Sequence, residues 1–243
     1  MRTDRFEARQ ARPRSDLRLV SAVVILGVLT AWWLPGHARS ESTDARDRIA
    51  PATTEAPAGT YTLDRNHASL LFRVNHLGFS HYTARFTRFD AALEFEPENP
   101  AASSVSAMID ATSIETDYPD PSFDFDAQLQ DGHWLNTARF PQMTFRSTEV
   151  ELTGPNTARI TGELALHGAT QPVTLAVTFN GGYAGHPLDP LGARIGFSAR
   201  GSLMRSAFGI SEGIPPPGSD FGVGDNVEIL IEAEFTRPAT PPQ

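Results

Sequence analysis

Apolar residues in this chain recur at every second position, stretch after stretch, with no long helical period between them. Leu70, Phe72 and Val74 share one face, while Leu71, Arg73 and Asn75 take the other. The same beat runs through Phe89, Ala91, Leu93 and Phe95, then Val105, Ala107 and Ile109, then Met143 and Phe145. It resumes at Ile160, Gly162, Leu164 and Leu166, at Val173, Leu175, Val177 and Phe179, and at Val227, Ile229, Ile231, Ala233 and Phe235. Such alternation is the mark of strands with one buried face. Turn-forming strings separate them: Pro97-Glu98-Asn99-Pro100, Gly154-Pro155-Asn156, His167-Gly168 and Asn180-Gly181-Gly182. The pattern predicts an all-β antiparallel sandwich or closed barrel. One short helix is expected over 126–135, where Leu129 and the Trp134-Leu135 pair recur at helical spacing.

The chain's beginning follows a different rule. Residues 1–18 hold six arginines and three acids, and residues 19–34 are free of charge. Pro35-Gly36 then breaks any helix, and Gly36 and Ala38 offer the small residues an export peptidase reads. This is the layout of a secretory signal. Trp32-Trp33 and the long basic leader keep a second reading open, an uncleaved inner-membrane anchor contacting the bilayer through residues 17–34. Either reading sends the remainder to the periplasm. Residues 1–38 are therefore read as signal peptide or anchor helix, and 39–58, polar and rich in Pro, Thr and Ala, as a disordered linker. The folded domain is expected over 59–237, with a disordered tail over 238–243.

Composition removes several chemistries. The chain has no Cys, and all 20 of its basic residues are Arg. Thiol nucleophiles, thiolate metal sites, Schiff-base lysines and P-loops are excluded. A net charge of −9 argues against a nucleic-acid partner. No G-x-S-x-G, H-E-x-x-H or G-x-G-x-x-G occurs, so no catalytic residue is assigned.

Ordered strings carry a resemblance. Tyr61-Thr62-Leu63-Asp64-Arg65-Asn66-His67-Ala68-Ser69, followed by Phe72-Arg73-Val74-Asn75-His76-Leu77-Gly78, resembles the opening of the YceI-like family. Ile109-Asp110-Ala111-Thr112-Ser113-Ile114-Glu115-Thr116 is similar to the family's Ile-Asp-x-x-Ser-Ile-x-Thr. Phe140-Pro141-Gln142-Met143-Thr144-Phe145 and Gly162-Glu163-Leu164-Ala165-Leu166-His167-Gly168 follow in order. Asp189-Pro190-Leu191-Gly192, Gly196-Phe197, Arg205-Ser206-Ala207-Phe208-Gly209 and Val223-Gly224-Asp225-Asn226-Val227 complete the set. The sequence departs from the pattern at Ala84, Asp90 and Ala207, and in a long acidic loop, Asp117-Tyr118-Pro119-Asp120-Pro121-Ser122-Phe123-Asp124-Phe125-Asp126.

The resemblance implies an eight-stranded lipocalin-like barrel that encloses an isoprenoid amphiphile of polyprenyl or quinone type, sequestered or transported without chemistry. It also implies a homodimer, for which an exposed edge strand is the physical route. No cofactor is expected beyond the bound lipid or quinone. The inward, ligand-binding set is placed at Phe72, Val74, Phe86, Phe89, Met108, Ile114, Phe145, Leu164, Leu166 and Phe197, with Phe208 near the mouth. His76 shares a face with Phe72 and Val74 and is a candidate to meet a headgroup. Composition alone does not separate a hollow barrel from one plugged by its own side chains, as in a stress-related protein, nor a carrier from a lipid- or quinone-modifying enzyme using His76.

Three sets of polar residues compete with these readings. His67, His76 and His81 are three imidazoles within fifteen residues, yet nine residues separate His67 from His76, which puts them on opposite strand faces. No metal site is assigned. Asp117, Asp120, Asp124 and Asp126 do not match a calcium loop and are read as a solvated acidic segment. Arg73, Arg194, Arg200 and Arg205 are candidates for a headgroup contact at the barrel rim, against the plainer reading of a strand's wet face.

Overall fold

The period-two segments become ten strand segments in the computed structural model, which describes residues 49–238. They are β1 (Gly59–His76), β2 (Ser80–Phe86), β3 (Phe89–Phe95), β4 (Ser104–Asp110), β5 (Ile114–Glu115), β6 (Gln142–Gly154), β7 (Thr157–Leu166), β8 (Ala169–Tyr183), β9 (Ala193–Met204) and β10 (Val223–Arg237). Helix α1 (Phe125–Gln130) lies between β5 and β6. All pairings are antiparallel, and β10 pairs back onto β1, closing the sheet.

Ten segments make eight staves. β2 and β3 both run antiparallel to β1, opposite its later and earlier halves, and a two-residue kink at Thr87-Arg88 separates them. β4 and β5 pair in the same way with β3 and β2, interrupted by the tight turn Ala111–Ser113. The result is an up-and-down, eight-stranded antiparallel barrel with one short helix. Its ends have different contents. Around Tyr61, Phe95 and Ile195 the lumen is filled, whereas the half around Ile109, Leu164 and Leu175 is walled by a second cluster.

Several sequence expectations change in detail. The helix is six residues long and stops at Gln130, because Asp131 takes an extended conformation and its side chain accepts from the His133 backbone N–H. The linker reading of 39–58 fails at its later end. Ala56 is only 2 % exposed and belongs to the filled core, and the Ala52 N–H donates to Pro155 O at 2.6 Å. The packed chain thus begins before Gly59. Signal, anchor and the earlier linker lie outside the described residues, as does the tail beyond Pro238. Closure also removes the edge-strand route to a dimer. Among the described residues the sheet's free end is the two-residue β5.

Candidate functional site

A cavity of about 560 Å³ occupies the mouth half of the barrel. Its walls come from the inward beat of the staves. Leu70, Phe72 and Val74 of β1 face Phe145 of β6 and Leu164 and Leu166 of β7 across the lumen. The space depends partly on a missing side chain. A Cβ at Gly162 would lie 2.4 Å from the Phe145 ring and 2.6 Å from Arg146 O, so glycine there lets the ring lie against β7.

The mouth is dressed by two loops. The segment between β5 and β6 brings Tyr118, Phe123 and Phe125 over the opening, with ring centroids 5.2–6.1 Å apart, and Tyr82 meets Phe125 edge-on at 5.6 Å. Tyr82 donates to Thr116 O at 3.1 Å, and burial holds its hydroxyl above its ordinary pKa. The loop's carboxylates support it from below. Asp126 accepts from the Thr116 N–H at 2.9 Å, Asp124 caps α1 through the Ala127 N–H, and Asp120 accepts from Ser122. Asp117 stands 3.9 Å from Arg85. The acidic segment is exposed over 117–124, as expected of a solvated stretch, and its carboxylates also bond the loop that carries the aromatic lid. The second loop, between β9 and β10, adds Ile210 to the wall, and Val223 at the start of β10 joins it.

Of the residues expected to face a ligand, Phe72, Val74, His76, Phe86, Ile114, Phe145, Leu164 and Leu166 line this cavity. Four do not. Met108 is a correction: it is 48 % exposed on the outer face, because Ile109 is its stave's inward residue and a one-residue step changes faces. Phe197 is the second correction, since it packs into the filled end against Phe95, Phe179 and Phe235. Phe89 sits at the waist, against both clusters. Phe208 is 2 % exposed in the layer over the mouth end and does not reach the open space. Tyr82, Tyr118, Phe123 and Trp134 were missed. For Tyr118 and Phe123 the signal was aromatic residues interleaved with acids, in a loop where strand periodicity says nothing, while Tyr82 belongs to β2.

The arginines separate cleanly. Arg73 lies 3.6 Å from Glu228 on the outer wall, and Arg200 is exposed. Arg194 belongs to the opposite end. There β1 bulges, with four residues between Leu63 and Ala68 set against one between Phe235 and Ala233. Arg194 donates from Nη1 to Asp64 at 2.8 Å and from Nε to Asp189 at 2.7 Å, and it also contacts Glu234. Burial would raise the Asp64 pKa, but His67 and Arg194 outweigh it and hold the carboxyl below its ordinary value. Arg194, followed by Tyr183, lowers Asp189 strongly. His67 joins Asp64 at 2.8 Å rather than meeting His76 and His81. Asp64, His67 and Glu234 offer ligand atoms within 4.8 Å of one another, but the Arg194 guanidinium already serves Asp64 and Glu234 as their cation. Only Arg205 reaches the cavity.

Comparison with known proteins agrees with this geometry. Residues 61–235 match the YceI-like domain. The chain belongs to the YceI-like family. Among YceI-like relatives, Protein YceI of Escherichia coli O157:H7 is 36 % identical over 182 residues, covering 74 % of this chain and 87 % of the relative. A UPF0312 protein of Pseudomonas aeruginosa (strain LESB58) is 35 % identical over 186 residues, covering 75 % and 90 %. Two solved structures share the fold. BcnA of Burkholderia cenocepacia superposes with a TM-score of 0.59 at 23 % identity, over 71 % of this chain and 98 % of that one. A polyisoprenoid binding domain from Saccharophagus degradans, implicated in plant cell wall breakdown, gives 0.51 at 14 % identity, over 73 % and 98 %.

Proposed function

We propose that this YceI-like barrel is a lipid-binding protein that sequesters or carries an isoprenoid amphiphile, of polyprenyl or quinone type, in its mouth-half cavity. The observation that carries the reading is the apolar cavity itself. A barrel plugged along its whole length would have no such volume, and 560 Å³ sits within the ordinary range of small-molecule pockets, about 300–1,000 Å³. At about 30 Å³ per water-sized volume it has room for roughly twenty carbon-sized groups. Burying each methylene contributes about 0.8 kcal/mol before ordering costs, which suffices for firm retention of such a tail. The Saccharophagus neighbour's description as a polyisoprenoid binding domain points the same way.

The protein acts as a carrier without chemistry of its own. His76 stands exposed at the mouth, where it can touch a headgroup. Export to the periplasm by the arginine-rich leader is part of the same proposal. Extraction of the full chain purified from its native host with organic solvent tests it. An unaltered isoprenoid in the extract supports the reading, a converted product favours an enzyme, and an empty extract overturns it.

A further inference from the structure

Of the residues that line the cavity, Arg205 alone carries a permanent charge. It is 5 % exposed and opens the short turn Arg205–Phe208 after β9. Its guanidinium donates from Nε to Gly224 O at 2.9 Å, from Nη1 to Ile210 O at 3.2 Å, and from Nη2 to Val223 O at 2.8 Å. Trp134 lies against it, 5.4 Å from ring centroid to Cζ. Burial pulls its pKa below the usual arginine value, though arginine keeps its proton under any ordinary condition.

The charge has no counter-ion at contact. Among the described residues no carboxylate comes within ion-pair distance of Arg205. Asp225 is occupied by Ser206, whose N–H and hydroxyl donate to it at 2.8 and 2.6 Å. Glu212 faces His133, 3.9 Å away. Arg194 at the other end shows the contrast, with three carboxylates on one guanidinium. A guanidinium carries five N–H groups, and the three carbonyls leave two uncommitted. Carbonyl dipoles solvate a buried cation but do not neutralise it, and the low-dielectric wall strengthens its pull on any anion that enters.

We infer that Arg205 receives the headgroup of the bound amphiphile, and that the cavity prefers an isoprenoid bearing an anionic oxygen pair, phosphate or carboxylate, over a neutral alcohol or quinone of equal tail. The inference rests on the lipid-binding reading and narrows it. A planar fork suits a two-oxygen anion, and hydrogen bonds to a charged partner are worth about 1.5–3 kcal/mol, or roughly ten- to a hundredfold in affinity. If Arg205 only pins the β9–β10 loop through its three carbonyls, headgroup charge will not matter.

The test is a matched set on the delipidated full chain: geranylgeranyl phosphate, geranylgeranoic acid and geranylgeraniol, which share one tail. Both anions should bind at least about tenfold tighter than the alcohol, and Arg205→Gln should bring the three within about twofold of one another. Tight binding of phosphate but not acid assigns phosphate as the source, and the reverse assigns carboxylate. Equal affinity of the wild type for all three overturns the inference yet leaves the lipid reading intact. Failure of all three to bind overturns the lipid reading itself. Should Arg205→Gln not fold, the wild-type ratio decides, with Arg205→Lys, which keeps the charge and loses the fork, expected to fall between.

Discussion

The two halves of this barrel are built from the same eight staves with the same alternation, yet one is packed down to a space of about 90 Å³ while the other holds about 560 Å³. At the closed end Tyr61, Phe95, Phe179, Phe197 and Phe235 interlock, with ring centroids 5.5–6.5 Å apart, and Ala56 seals them from outside. At the mouth end the inward positions hold mainly aliphatic residues, and the aromatics lie along the wall or in the lid. The difference shows how a cavity is kept open against the tendency of proteins to fill their interiors. One half supplies close packing, and with it much of the stability, so the other can leave its apolar wall without partners until a ligand arrives.

The largest test of that division is a pair of truncations. Phe95→Ala should destabilise the chain by about 3–5 kcal/mol, the range for a large aromatic removed from a packed site. Phe72→Ala, in a wall already facing space, should lose less than half as much, as read from denaturant midpoints. Equal losses would abolish the distinction between the halves. Enlargement inverts the contrast. Leu164→Trp should fill the cavity and weaken isoprenoid binding about tenfold or more while shifting stability by less than about 1 kcal/mol. Ile195→Trp, at a fully buried position, should destabilise by about 1–3 kcal/mol and leave any bound lipid in place.

Acid should weaken the closed end. Asp64 and Asp189 have folded pKa values below their ordinary ones, so they add stability above the unfolded carboxylate value of about 4. That contribution is lost as pH falls through the folded values. Thermal midpoints measured from pH 6 down to pH 2 should therefore drop below about pH 4, and Asp64→Asn together with Asp189→Asn should flatten the drop. The smallest effect expected is in tail length. Affinity should rise with each added isoprene and level off near about 20 carbons, measured by displacement of a fluorescent lipid.

Much of the fold was legible because strand periodicity is local. Phe72, Val74, Phe145, Leu164 and Leu166 share the inward face for no reason beyond the two-residue repeat, and ordered strings such as Phe140-Pro141-Gln142-Met143-Thr144-Phe145 tied that repeat to a family. Met108 shows the limit of that reading, since a single step along β4 carries a side chain from lumen to solvent. Phe197 shows another: alternation says that a residue points inward but not how far along the axis it lies. The lid was hidden for a third reason. Tyr118 and Phe123 sit in a loop whose carboxylates look solvated in sequence and turn out to bond its own backbone and hydroxyls.

The amino-acid sequence by itself determined an antiparallel all-β domain with an apolar inside, because alternation, turn residues and the absence of long helices act between neighbours in the chain. Which half of that inside stayed open, and which arginine among the described residues looks into it, were decided only by the tertiary structure. Depth along a barrel axis and the pairing of charges depend on residues more than a hundred positions apart, as Asp64 and Arg194 are, and no local pattern encodes such distances.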